Sequence, residues 1–324
     1  MVNAVPLGII DSLSEGFATV NRRLWVLVLP ILLDVLLLSG PGISVNALVA
    51  RALVAVEQSS SAEVAVKPPA EAAESSEQLR TVIKSFQDTN LLGLLAWQIP
   101  SVVGATATTP LPKIRGPIIS EPGSALPLLG QALGLGVLSL LGGSFYLAGL
   151  AGGVRREAFR LGQWAALAAR GWLSFLALYA GVALAALPVL AVGLGLSLLM
   201  GMLSPVLASL ASGVMGAGAI TLAFYLYFTD DALFLVGAWP LRAMKLSAAL
   251  VVRHFGSTMG LFLLANLILV GLPLALRLVV EHPAGMAAAA LGHAYVASGI
   301  TAGGMVFFYQ RLAAPRPPVA PVAL

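Results

Sequence analysis

Phe17-Ala-Thr-Val-Asn-Arg-Arg-Leu-Trp-Val-Leu-Val-Leu-Pro-Ile-Leu-Leu-Asp34 runs from an amphipathic face, through two arginines and a tryptophan, into an apolar span. The pattern recurs twice. Trp164-Ala-Ala-Leu-Ala-Ala-Arg-Gly-Trp172 leads into a second long apolar stretch, and Ser247-Ala-Ala-Leu-Val-Val-Arg-His-Phe255 into a third. Each copy sets an arginine (Arg23, Arg170, Arg253) two residues before an aromatic (Trp25, Trp172, Phe255). An aromatic ring with a polar edge suits the headgroup level of a bilayer, and a basic residue beside it favours the cytoplasmic side. These six residues are therefore read as interface anchors, and the stretch as the first copy of a threefold membrane unit.

Composition agrees. Only 10% of the residues are charged, 59% are hydrophobic, and the mean hydropathy is +0.94. A water-soluble domain carries about 25% charged residues, so lipid must be the solvent for much of this chain. The net charge of +4 does not point to nucleic acid, because the basic residues fall at the ends of apolar runs. No cysteine is present, which removes disulfides and thiolate chemistry.

Outward from the opening stretch, Ile9, Ile10, Leu13, Phe17 and Val20 recur at helical spacing around Asp11, Ser14 and Glu15. This predicts an amphipathic helix in the membrane interface. The first span follows at about 24–42, with Pro30 expected to kink it. Asp11, Glu15 and the unsuitable Gly40-Pro41 argue against a cleavable signal. Asn21-Arg22-Arg23-Leu24-Trp25 loosely resembles a twin-arginine signal, but its internal recurrence favours a cytoplasmic anchor.

Residues 43–126 form an insert. Val45 to Val56 give a helical stripe, 57–77 read as a flexible linker, and Ser76-Glu77 opens another helix. Leu91–Val103 is apolar but, at about 13 residues, too short to cross a bilayer, so it is expected to pack on the membrane face. Five prolines over 104–127 predict extended loop.

Further spans are expected at about 127–152, 172–199, 205–228, 256–279 and 285–310, with turns at Ser204-Pro205 and Glu281-His282-Pro283. The stretches 156–170 and 232–252 are read as interfacial helices. The expected fold class is an all-α polytopic membrane bundle. Six transmembrane helices form three units, each an interfacial helix plus a hairpin. Region by region, 1–42 is the interfacial helix and first span, 43–126 the extracytoplasmic insert, 127–312 the remaining spans, and 313–324 a disordered tail. Basic residues cluster on one side of these spans, which predicts both termini in the cytoplasm. Gly134, Gly136, Gly149, Gly152, Gly213, Gly216, Gly299 and Gly303 offer small faces for helix packing, with a homodimer face as the alternative use.

The layout resembles a broad group of uncharacterised bacterial six-helix membrane proteins. That group includes the membrane domain attached to some glycerophosphodiester phosphodiesterases. Arg23-Leu-Trp25, Pro30, Asp34, Asn266, Pro273 and Phe308-Tyr309-Gln-Arg311 carry the resemblance, which leaves out 43–126. It implies a bacterial cytoplasmic membrane location. No phosphodiesterase domain is present, so no activity is carried over.

Polar residues inside spans are the first site candidates. Asp34 and His293 each lie about eight residues from the outer membrane face, or roughly 12 Å deep, and Asn266 is also near mid-span. The three are read as a possible polar layer, with Asp34 accepting from His293 or Asn266. A layer of this kind can serve as a proton relay or as a helix-packing clamp. Asp230-Asp231 is expected to cap the following helix rather than bind metal; no metal ligand set and no cofactor site are read from the sequence. The expected function is a non-catalytic scaffold, assembly or sensory component, whose partners are the lipid bilayer and a membrane protein or a second copy. A small permease using the polar layer is the alternative.

Overall fold

The computed structural model describes residues 7–63, 77, 80–106, 116–276, 278–279 and 282–313. The linker expected at 57–77 and the tail at 313–324 fall largely outside them. Among the described residues the fold is all-α apart from a short parallel ladder, β1 (Gly42–Ile43) with β2 (Ile118–Ser120). Among the described residues five helical stretches are long and apolar enough to cross a membrane: Ala125–Val154, Leu161–Gly201, Val206–Leu235, Phe255–Leu276 and Ala284–Leu312. It is a multi-pass membrane protein. Leu24–Ser39 is apolar but shorter.

The chain divides into two compact units. One comprises Met1–Leu24, Ser144–Ile268 and Val296–Leu324. It opens with α1 (Ile9–Arg22), whose buried face is Ser12, Leu13, Gly16, Thr19 and Val20. This face meets α11 (Pro283–Ala313). A Cβ on Gly16 would lie 2.3 Å from the Gly303 nitrogen and 2.4 Å from the Gly299 carbonyl oxygen. Gly299-x-x-x-Gly303 therefore lets α1 approach at backbone distance, the use small residues have in membrane helices. Phe228 stacks on Phe307 with ring centroids 5.6 Å apart, and Tyr146 hydrogen-bonds Ser298 at 2.9 Å.

The sequence expects an interfacial helix over 156–170 and a separate span from 172. Instead, α6 (Leu161–Leu203) runs unbroken through both. Gly171 is not a break. A Cβ there would meet the Phe234 ring at 2.2 Å, so the glycine makes room for packing. α6 ends at Ser204, whose hydroxyl accepts from the Val206 amide at 3.2 Å. Pro205 follows at the first position of α7 (Pro205–Tyr225). Ser then Pro is a helix start in which the missing N–H costs nothing. The two helices form a hairpin open to lipid. In their most apolar windows 6% and 0% of residues are buried, against 72% in Ala284–Leu312.

The 232–252 segment also differs from expectation. It divides into α8 (Thr229–Leu235) and α9 (Pro240–Arg253), separated by Gly237 at φ +64°. His254 then separates α9 from α10 (Phe255–Leu276).

The other unit comprises Trp25–Gly143 and Leu269–Tyr295. A 3-10 turn, Leu24–Leu27, precedes α2 (Val28–Ser39). The break thus lies ahead of Pro30. The proline sits in the first turn of α2, where no amide donor is needed. The insert contains α3 (Asn46–Glu63), helical residues at 80–85, a 3-10 segment Leu91–Ala96 and α4 (Val102–Thr106). α5 (Ala125–Val154) follows β2. Leu33 and Leu37 of α2 bury with Val45, Val49, Leu91 and Ile99. Val102 packs on Ala289 and Ala290 of α11. Leu91–Val103 is therefore a compact segment packed against α2 and α11. Asn90 secures one end of it: its side-chain oxygen accepts from the Ile43 and Leu92 amides, both at 3.1 Å.

Candidate functional site

Asp34 lies on α2 and is completely buried. Its carboxylate takes three donors, all from residues 101–103. The Ser101 hydroxyl donates to Oδ1 at 2.5 Å, the Val103 amide to Oδ1 at 3.3 Å and the Val102 amide to Oδ2 at 3.2 Å. Ser101 Oγ in turn accepts from the Gly104 amide at 3.1 Å. The first amides of a helix lack partners within it. Here a carboxylate 67 residues away in sequence supplies them, an aspartate cap delivered from another helix.

The sequence expectation that Asp34 accepts from His293 or Asn266 is thus replaced. His293 on α11 is buried, and its Nδ1 has no hydrogen-bond partner among the described residues. Asn266 on α10 turns its amide back to Phe262 O at 2.8 Å, one turn earlier in its own helix. Ser101 and the two valine amides were not legible as site residues. The one signal was Pro100-Ser101 inside an apolar run too short to span.

Two of the arginines expected to be anchors bind backbone carbonyls. Arg23 donates to Gly149 O at 3.4 Å and to Glu157 O. Glu157 directly follows Arg156, whose φ is +56°. Arg170 donates to Gly237 O at 2.8 Å, and Gly237 is itself at φ +64°. Both guanidiniums therefore grip carbonyls in turns just beyond a helix end, where carbonyls lack helical partners. Of the anchor aromatics, Phe255 is exposed and meets Phe224 edge-on at 5.6 Å; Trp172 is half-buried, and Trp25 remains 37% exposed. The third arginine, Arg253, is exposed and lines a cavity of about 890 Å³.

Asp230 and Asp231 lie in the first turn of α8, whose N-cap is Phe228, so they do not cap the helix as expected. Among the described residues no group of three or more His, Cys, Asp or Glu is placed to hold a metal ion. A second cavity of about 900 Å³ lies between α6, α7 and the start of α9 and is walled by apolar side chains. Comparison with family models, with curated proteins and with solved structures finds no match.

Proposed function

We propose that this chain is a non-catalytic integral membrane protein, a scaffold, assembly or sensory component of a bacterial cytoplasmic membrane. The observation that carries this reading is the engagement of Asp34. A relay carboxylate must exchange protons or ions along a path. Asp34 is enclosed, and both its oxygens are engaged by donors of the insert. It fixes the outer segment to the first span.

In this reading Leu24–Ser39 counts as a sixth span, and the chain comprises three related units. Arg23, just before this helix, contacts the C-terminal end of α5 through Gly149, and Gly42, just after it, pairs with Ile118, just before α5. The Gly42–Ile118 pairing thus sets the end of α2 beside the start of α5. The parallel roles of Arg23 and Arg170 support the repeat. Basic residues at the span ends favour a cytoplasmic position for both termini. The six-helix bacterial group resembled by Arg23-Leu-Trp25, Pro30 and Asp34 fits this layout.

The second reading is a small permease. The observation favouring it is the buried His293, whose Nδ1 has no partner among the described residues. Proteoliposomes under an imposed proton or monovalent-cation gradient separate the two. A scaffold gives no flux above empty vesicles in wild type. A flux that disappears in a folded His293→Gln variant overturns the scaffold reading.

A further inference from the structure

The cavity of about 890 Å³ at the junction of α9 and α10 is lined by three basic side chains, Arg253, His254 and Arg311. Its remaining wall is apolar and includes Leu246, Leu250 and Leu312. Among the described residues no carboxylate lines it. Among the described residues the ion pairs belong to Arg22, Arg80, Arg155 and Arg156, and none reaches this cavity.

Arg311 is the most confined of the three, at 7% exposed. Its guanidinium carbon lies 3.4 Å from the Phe307 ring centroid. Its two terminal nitrogens donate to Phe307 O at 3.4 Å and to Leu7 O at 3.2 Å. Both acceptors are neutral, and a guanidinium has five N–H donors. Its charge is oriented, and among the described residues no carboxylate pairs with it. A buried charge without a counter-ion is costly, and here Arg253 and His254 share the cavity with it. His254 feels the crowding: burial first, then Arg311 and Arg253, hold its imidazole below the ordinary value.

We infer that this cavity is a binding site for the phosphate headgroup of an anionic phospholipid, with the apolar wall taking the first part of its acyl chains. Arg311 and Arg253 supply charge-assisted donors, the form in which phosphate is best recognised. His254 completes the cradle. The apolar wall distinguishes a lipid from a free anion. Anionic lipid at the cytoplasmic surface also meets Arg242 and Lys245, which are exposed on α9.

The test uses the full-length protein in neutral detergent, labelled at histidine and followed by NMR. The His254 signal is identified by its loss in His254→Gln. Short-chain phosphatidylglycerol, short-chain phosphatidylcholine and inorganic phosphate are titrated separately. The expected result is an upward shift of the His254 titration with phosphatidylglycerol and none with phosphatidylcholine. Arg253→Gln, an exposed position that leaves the fold intact, weakens the phosphatidylglycerol affinity about tenfold. Arg311→Gln weakens it further. Equal responses to the two lipids overturn the proposal, as does unchanged affinity in Arg253→Gln. If inorganic phosphate gives the full shift and phosphatidylglycerol binds no more tightly, the site takes a free anion and the lipid assignment is wrong.

Discussion

Gly16 of α1 and Gly303 of α11 meet at backbone distance, with a Cβ on Gly16 falling 2.3 Å from the Gly303 nitrogen. An amphipathic helix that merely lay on the membrane would not need such a contact. α1 is docked, and its small residue is matched to the Gly299-x-x-x-Gly303 face.

Gly16→Val therefore forces α1 off α11. The expected cost is about 2 kcal/mol or more, as for other overpacked sites, read as a lower unfolding midpoint in detergent. Gly213→Ala and Gly216→Ala serve as controls. A Cβ at either position meets nothing within 4 Å, so alanine should be neutral or mildly stabilising, by about 0.5 kcal/mol.

The paired grips of Arg23 and Arg170 predict local rather than global effects. Arg23→Gln should loosen the turn at 156–158, and Arg170→Gln the turn at 236–238, each by about 1 kcal/mol. Limited proteolysis with mapped cleavage sites checks this. Each variant should open its own turn and leave the other protected.

Glu15 predicts a pH dependence outside the spans. Its hydrogen bond with Arg22, at 2.8 Å, holds its carboxyl below the ordinary value of 4.5 against the opposing effect of burial, with Arg156 assisting at 3.2 Å. A carboxyl depressed in the folded state stabilises fully above its unfolded value, and that contribution is lost as pH falls through the folded one. The pair is partly exposed, so the increment is about 0.5 kcal/mol and weakens with salt. Unfolding midpoints from pH 7 down to pH 3, wild type against Glu15→Gln, should converge at the acid end. A constant difference across the range contradicts the assignment.

Much of the helical layout was legible because hydropathy and helix caps are local signals. The stretches 127–152 and 256–279, and the Ser204-Pro205 turn, carry their own patterns. The step from an amphipathic to a wholly apolar pattern between 170 and 172 reads the same whether a helix ends there or runs on, and nothing local shows that Gly171 admits a ring. Phe234, the ring it admits, is 63 residues away and leaves no periodic trace. The β1–β2 ladder is only two to three residues long per strand and falls below any alternation that could be recognised. Asp34 stood out as the one charged residue of the apolar Leu24–Ser39 stretch, and it is completely buried. Its partners could not be read, because residues 101–103 reach it only after the insert has folded back along α2. Depth alone grouped it with His293 and Asn266, and depth does not say which donors arrive first.

The clamp on Asp34 is the claim on which the reading of this protein rests. Its most direct test is hydrogen–deuterium exchange at residues 101–104 in wild type, Asp34→Asn and Ser101→Ala. If Asp34 fixes the insert, exchange at these amides should rise about thirtyfold in Asp34→Asn, as expected for roughly 2 kcal/mol of lost hydrogen bonding. Ser101→Ala should raise it less, since the two amide donors remain. Unchanged protection at 101–104 in Asp34→Asn would contradict the account and return Asp34 to the pool of transport residues.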